Sequence, residues 1–244
     1  MHDAELAAMF AHDERHWWYR GRRRVINAVL DGLPLRAGSY LLDAGCGSGR
    51  ELDELAARGR AAGVDLSPVA VASARRRGHD DIHRAAIEAL PFAAETFDLV
   101  TCLDVIEHTP DDRATLAELR RVTRCGGLLL VTVPAYPALW SAHDVANRHF
   151  RRYVAATLHA AATDAAWSIV RDTYFNAVLL PPAAVVRRAR RDRTTSSPTN
   201  SELTLTPPLL NRLLELPLAA EAELIGHGRR IPCGLSLLAV LQRR

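Results

Sequence analysis

The 244-residue chain contains no lysine; all 31 of its basic residues are arginine. An oxidoreductase built on a Tyr-x-x-x-Lys pair is therefore excluded. Cysteine is scarce: Cys46, Cys102, Cys125 and Cys233 show no C-x-x-C spacing. They read as buried thiols in a reducing compartment, not as a zinc site or a disulfide framework. Charge of one sign is also missing. The net charge of +3 is too small for a whole-protein nucleic-acid footprint. No apolar run approaches the ~20 residues that span a bilayer, and the first residues lack a basic-then-apolar leader pattern. The expectation is a soluble, cytoplasmic protein. Nor does any cluster carry metal-ligand spacing, so no metal is expected and a metal-dependent catechol mechanism is unsupported. What remains is a chain that is 48% hydrophobic, enough for a full core, and most simply one domain with an insertion.

The informative stretch is Tyr40–Arg50, YLLDAGCGSGR. Tyr40-Leu41-Leu42 fits a buried strand, Gly45, Gly47 and Gly49 interrupt it, and the apolar pattern resumes at helical spacing from Glu51. Strand, glycine turn and helix open a nucleotide-binding α/β unit. A second short apolar run, Ala61 to Val64, ends in Asp65, where a carboxylate can accept hydrogen bonds from both ribose hydroxyls. Together they predict an adenosine-containing ligand at the strand ends. The dinucleotide fingerprint G-x-G-x-x-G/A would need Gly or Ala at position 50, where this chain has Arg50. Asp43, just before the first glycine, would repel a pyrophosphate. It suits a ligand carrying an ammonium and a sulfonium, as S-adenosylmethionine (SAM) does.

LLDAGCGSG, GVDLS and FDLVTCLDVIEH resemble the successive motifs of class I SAM-dependent methyltransferases, over roughly residues 12 to 175. The resemblance implies an α/β fold: a doubly wound, seven-stranded, mostly parallel Rossmann-like sheet with an antiparallel last strand, an N-terminal helical lid and an insertion before the last strand. It divides the chain into a helical cap (1–34), a SAM-binding core (35–175), a helical and mobile insertion (176–230) and a returning last strand (231–244). It also implies SAM as cofactor and S-adenosylhomocysteine as product. Donor-binding candidates are Asp43, Gly45, Cys46, Gly47, Asp65, Leu66, Ile87, Glu88, Leu103 and Asp104. The family commonly has Asp two residues before this Glu; Ala86 stands there, leaving the adenine contact to Ile87 or Glu88.

Upstream, 3–12 is expected to be a short helix, followed by His16-Trp17-Trp18-Tyr19-Arg20 and a helix to Leu30. An HWW segment followed by Y or F recurs before the first strand of the resembled family. Tyr19, Arg20 and Arg23 are candidates for the methionine carboxylate, which a guanidinium matches bidentately. Trp17 and Trp18 either close over the cofactor and acceptor or simply pack the helix. Further strands are expected near 82–87, 97–102, 128–133, 167–175 and 233–241, and Pro181-Pro182 is expected to break an apolar stretch.

His108 is a candidate general base, as is His143, because imidazole accepts a proton near neutral pH. Tyr136, Trp140, His149 and Arg152, in the irregular stretch after the fifth strand, are candidates for the acceptor pocket. The leucines from Leu209 to Leu218 form core or dimer surface, or else an apolar rim for the acceptor or, with the basic run Arg187–Arg193, a peripheral membrane contact spanning 187–218. The reaction expected is in-line transfer of the SAM methyl to an oxygen or nitrogen of a small-molecule acceptor, apolar or lipid-linked, by a monomer or homodimer without nucleic acid. A peptide amine, an NAD(P)-binding oxidoreductase and a non-catalytic SAM-fold binding protein are the alternatives.

Overall fold

The computed structural model describes Phe10, residues 12–190 and residues 207–244. The expected 3–12 helix, apart from Phe10 and His12, and residues 191–206 of the expected insertion therefore lie outside the described residues. The chain forms two compact units. One comprises 34–133, 153–172 and 238–244; the other comprises 1–33, 134–152 and 173–237.

The first unit holds most of a seven-stranded sheet. Its strands are β1 (Tyr40–Ala44), β2 (Arg60–Asp65), β3 (Ile82–Arg84), β4 (Phe97–Leu103), β5 (Thr123–Pro134), β6 (Trp167–Phe175) and β7 (Ser236–Arg243). The order is β3-β2-β1-β4-β5-β7-β6; β1 to β5 pair in parallel and the last strand inserted between β5 and β6 is antiparallel. Strands covered on both faces must be apolar throughout. Leu41, Leu42, Leu99, Val100, Leu129, Leu130, Val131 and the run Leu237 to Leu241 are all buried. Helices α2 (Arg50–Ala56), α3 (Pro68–Arg76), α4 (Asp112–Val122) and α6 (Ala155–Asp164) make the crossovers. Ser67 caps α3 through its hydroxyl, accepting from the Val69 and Ala70 amides, with Pro68 opening the first turn. Strand order reverses between β1 and β4, the place where ligands of open α/β sheets bind.

The fold differs locally from the sequence expectations. β3 stops at Arg84, because the chain turns at Ala86–Ala89 and Glu118 captures the Leu90 amide (2.7 Å). β5 begins at Thr123 directly after α4: Phe97 pairs with Thr123 but Leu99 pairs with Leu128, so residues 124–127 bulge out. Gly126, at φ +79°, makes that bulge possible.

The second unit contains α1 (Trp17–Leu30), the short α5 (Ala142–Ala146), α7 (Leu180–Arg190) and α8 (Pro208–Gly226). Pro181-Pro182 does not break a helix; it occupies the first turn of α7, where no intrahelical N–H is lost. α1 and α8 approach closely at Gly21, where a Cβ would lie 2.4 Å from Leu218 Cδ1. Asn211 ties their ends, accepting from the Trp17 amide (2.8 Å) and donating to the Arg15 carbonyl (2.7 Å).

Two glycines of the sheet-bearing unit separate backbone strain from crowding. Gly49 (φ +83°) would place a Cβ 2.7 Å from Ala74 Cα, whereas Gly78 (φ +92°) faces open space. Denaturant unfolding should show Gly78→Ala costing about 1–2 kcal/mol, the left-handed penalty alone. Gly49→Ala should cost about 2–4 kcal/mol, with overpacking added. Equal losses would contradict the close α2–α3 approach.

Candidate donor and acceptor sites

The donor edge of the sheet-bearing unit is built by β1, β2 and β4. The backbone turns after Ala44 through Gly45 (φ +88°) and Gly47 (φ +52°). A Cβ on Gly45 would sit 2.4 Å from Val105 Cγ2, so the turn is pressed against the end of β4. Its amides are used internally. The Gly45 and Cys46 N–H groups donate to the Val64 carbonyl (2.8 and 2.9 Å), Gly47 N–H donates to Asp65 Oδ2 (2.9 Å), and Gly49 N–H to the Cys46 carbonyl (2.9 Å). A phosphate-cradling nest needs such amides directed at the ligand. Four here are committed to the protein, which disfavours a pyrophosphate.

Asp65 closes β2, and its other oxygen accepts from the Ser67 amide (2.8 Å). Burial raises its carboxyl above the ordinary range, and the amides of Ser67, Gly47 and Leu66 draw it part of the way back. The amides of Ser67, Gly47 and Leu66 still leave the carboxylate with lone-pair capacity. Asp43 is buried at the end of β1, where Thr101 Oγ1 donates to Asp43 Oδ1 (2.7 Å) and orients it. Burial first, then the charges of Asp43, Asp65 and Glu51, push the Cys46 thiol far up. The field at the turn is thus negative, as a cationic ligand requires. Asp104 leaves β4 at φ +57°, with its amide on the Thr132 carbonyl (3.0 Å). Asp tolerates that conformation better than most residues. Leu66 stands 64% exposed just beyond Asp65, Ile87 is nearly buried, and Glu88 is exposed. Leu103 is the last residue of β4, and His108 ends the short 3₁₀ turn Ile106–His108 that follows.

In the other unit, the segment after β5 is organised by Asp144, which is fully buried. One carboxylate oxygen accepts the Ser141 amide (2.8 Å); the other contacts His149 Nδ1 (2.9 Å) and accepts from Arg152 Nε (2.7 Å). Burial pushes this carboxyl up, but the bonds from His149 and Arg152 outweigh it and hold the group well below the ordinary range. With Asp144 ionised, the His149 contact has to be an Nδ1–H donor, which fixes the tautomer and leaves the acceptor lone pair on Nε2. Tyr136 stacks on Tyr174 (5.4 Å between ring centroids) and Trp18 on Phe175 (6.0 Å).

Residues 42–131 match the family model described as a methyltransferase domain. A ubiquinone biosynthesis O-methyltransferase of Xanthomonas oryzae pv. oryzae is 31% identical over 175 residues, covering 65% of this chain and 72% of that protein. The chain belongs to the class I SAM-dependent methyltransferases. An uncharacterised 37.1 kDa protein in transposon Tn4556 of Streptomyces fradiae is 36% identical over 125 residues; these are 48% of this methyltransferase and only 36% of that protein's length. A SAM-dependent methyltransferase of Mesorhizobium loti shares the fold at a TM-score of 0.59 and 17% identity, covering 95% of this chain and all of that one.

In the methyltransferase, Asp43, Gly45, Cys46, Gly47, Asp65, Leu66, Leu103 and Asp104 thus lie at the carboxyl ends of β1, β2 and β4, and Ile87 and Glu88 follow β3. Several other sequence candidates are placed differently from their expected roles. Arg20 pairs with Glu215 (3.1 Å), as does Arg24 (2.9 Å), so the Arg20 guanidinium already meets a carboxylate within its own unit. Arg23 is buried and donates to the Asp13 carbonyl (2.9 Å), while Tyr19 is half-buried on the same helix. Arg152 is turned inward to Asp144 and the Ala135 carbonyl (3.1 Å), a bracing position rather than an acceptor contact. His143 is exposed, and Asn147 Nδ2 lies 3.0 Å from its Nε2. Trp140 follows the 3₁₀ turn Pro137–Leu139 and is half-buried. Sequence reasoning missed Asp144 itself; the one signal available was a lone acid among His143, His149 and three arginines.

The Asp144 cluster sets a pH dependence. Its folded pKa lies below the unfolded value, so the unfolded chain binds more protons in the acid range. The stabilisation is complete above the unfolded pKa, about 4, and is lost as pH falls through the folded one. Asp144→Asn should flatten that acid slope in urea titrations and cost about 3–5 kcal/mol at pH 7, since it leaves Arg152 buried without its anion. An unchanged slope would contradict this role for Asp144.

Proposed function

We propose that the methyltransferase moves a methyl group from SAM to an oxygen, or less readily a nitrogen, of a small and largely apolar biosynthetic acceptor, releasing S-adenosylhomocysteine. The observation that carries the donor assignment is the spent glycine turn: its amides end on Val64 and Asp65 while two carboxylates keep the edge negative. When bound, SAM supplies an electrophilic methyl on a sulfonium. In this reading Asp65 accepts both ribose hydroxyls, and Asp43 favours the cationic end. Leu66 and Ile87 offer apolar cover to the adenine, with Glu88 beside it, and Leu103 and Asp104 border the methionine portion. Tyr19 and Arg23 are retained for the carboxylate on the chemistry of phenol and guanidinium.

His149 supports the base role better than His108 or His143. An ionised carboxylate behind Nδ1 orients the ring and stabilises the imidazolium that forms when Nε2 takes the acceptor proton. Transfer to oxygen is favoured by the likeness to an O-methyltransferase of ubiquinone biosynthesis. The aromatic residues Trp140 and Tyr136 suit an apolar acceptor.

Calorimetric titration tests the donor assignment. The wild type should bind SAM and S-adenosylhomocysteine but not NADH, and Asp65→Asn should weaken SAM at least tenfold, about 1.4 kcal/mol or more. Unchanged affinity in the variant would overturn it. With tritiated SAM and a panel of alkyl-substituted phenols and amines, label should enter the phenols. His149→Ala should lower kcat by about 10²–10⁴-fold with SAM affinity intact, and His143→Ala should not. Label confined to the amines would overturn the preference for oxygen.

A further inference from the structure

The stretch after β5, residues 134–152, is poor in acid. Its one carboxylate is Asp144, fully buried and already engaged by the Ser141 amide, His149 and Arg152. Against it stand His143, Arg148, His149, Arg151 and Arg152. α7, which packs on the turn Pro137–Leu139, carries no acid in its sequence. Asp144 offsets Arg152, and the stretch itself stays cationic. Arg148 is exposed, and among the described residues no carboxylate pairs with it.

Arg148 also holds a backbone position that disfavours its own side chain. It follows α5, whose end closes as a Schellman motif. The His149 amide donates to the Asp144 carbonyl (2.9 Å) and the Arg148 amide to the Val145 carbonyl (3.0 Å). That pattern needs a left-handed residue after the cap, and Arg148 supplies it at φ +56°. Glycine takes this conformation without penalty, whereas a residue with a Cβ does not. Within 134–152 the other non-glycine residue at positive φ is Tyr136, whose ring gains the stack on Tyr174. Among the described residues the Arg148 side chain has no hydrogen bond, ion pair or ring contact to offset the strain. Strain of this kind collects where side chains serve ligands.

The neighbours of Arg148 suggest which ligand. His149, next in the chain, has its ring fixed by Asp144 and is the base of the proposed reaction. Consecutive Cα atoms lie about 3.8 Å apart, so one acceptor can meet both the imidazole and the guanidinium. Exposed Val145 and Phe150 add apolar surface on either side. We propose that Arg148 is a specificity-determining residue that takes an anionic group, a carboxylate or a phosphate, carried by the otherwise apolar acceptor. A guanidinium meets either group through two parallel hydrogen bonds. The inference deepens the methyl-transfer reading and rests on it. The competing role for Arg148 is to complement the carbonyl end of α5, which any cation would do.

Calorimetry on the full chain loaded with S-adenosylhomocysteine separates the two roles. Three probes share one alkylated phenol: a 4-hydroxybenzoate, the matching 4-hydroxyphenyl phosphate and the neutral methyl ester of the first. The wild type should bind the anions at least about tenfold tighter than the ester, and the tighter anion identifies the group. Arg148→Gly should erase that preference, leave ester affinity unchanged and raise the melting temperature, because glycine suits the left-handed position. Arg148→Lys should keep part of the preference, retaining the charge without the fork. The inference is overturned if the wild type binds none of the probes or all three alike. It is also overturned if Arg148→Gly keeps the preference, or loses it only with a fall in melting temperature. SAM titration of the unloaded protein reads the donor site separately. Failure there sinks the methyl-transfer reading, whereas intact SAM binding with indifferent probes sinks the Arg148 role alone.

Discussion

Three successive amides of the glycine turn end on two residues of β2, and the donor edge follows from that arrangement. The Val64 carbonyl takes Gly45 and Cys46; the Asp65 carboxylate takes Gly47. A hydrogen bond to a charged acceptor contributes about 1.5–3 kcal/mol, and a buried amide left without one costs a similar amount. The turn is therefore locked to the neighbouring strand with its donors already spent. A glycine turn of this kind has little to offer a phosphate. It leaves a carboxylate at the strand end with capacity for hydroxyl donors, and a second one, Asp43, fixed by Thr101. Ligand class is set here by where the amides go, more than by the number of glycines.

Asp65 and Asp144 have opposite fates for a simple reason. Asp65, half-buried, collects backbone amides only, and desolvation wins, so its proton is held more tightly than usual. Asp144 is fully buried, but His149 and the Arg152 guanidinium face it, and its proton is held far less tightly. A cation in contact decides the direction. The first arrangement suits a carboxylate that must receive neutral hydroxyls. The second suits a permanent anion that holds an imidazole in one tautomer. Asp65 ends β2 and Asp144 lies on the short helix α5, so regular elements position both side chains.

Much of the sheet was legible because the signals are local. Apolar runs bounded by Gly, Asp and Ser-Pro mark β1, β2 and the start of α3 within a residue or two, and the order of motifs names the family. The parts that were not legible depend on partners distant in sequence. The bulge at 124–127 exists because β5 must pair with β4 on both sides of it; Leu128 to Val133 alone looked like the whole strand. Pro181-Pro182 reads as a breaker until the chain is seen to start a helix there. Arg20 and Arg152 looked available for ligands because nothing in the sequence shows that Glu215 and Asp144 reach them. His149 was visible as a polar loop residue, but its alignment by Asp144 requires the turn of α5 between them.

The central claim is that Asp65 and the spent glycine turn select an adenosyl cation over a dinucleotide. A crystal structure of the protein with S-adenosylhomocysteine tests it most directly. The account predicts both ribose hydroxyls within hydrogen-bond distance of the Asp65 carboxylate, with the Gly45 and Cys46 amides still on the Val64 carbonyl. An adenosyl group bound away from Asp65, or turn amides swung outward onto the ligand, would contradict it.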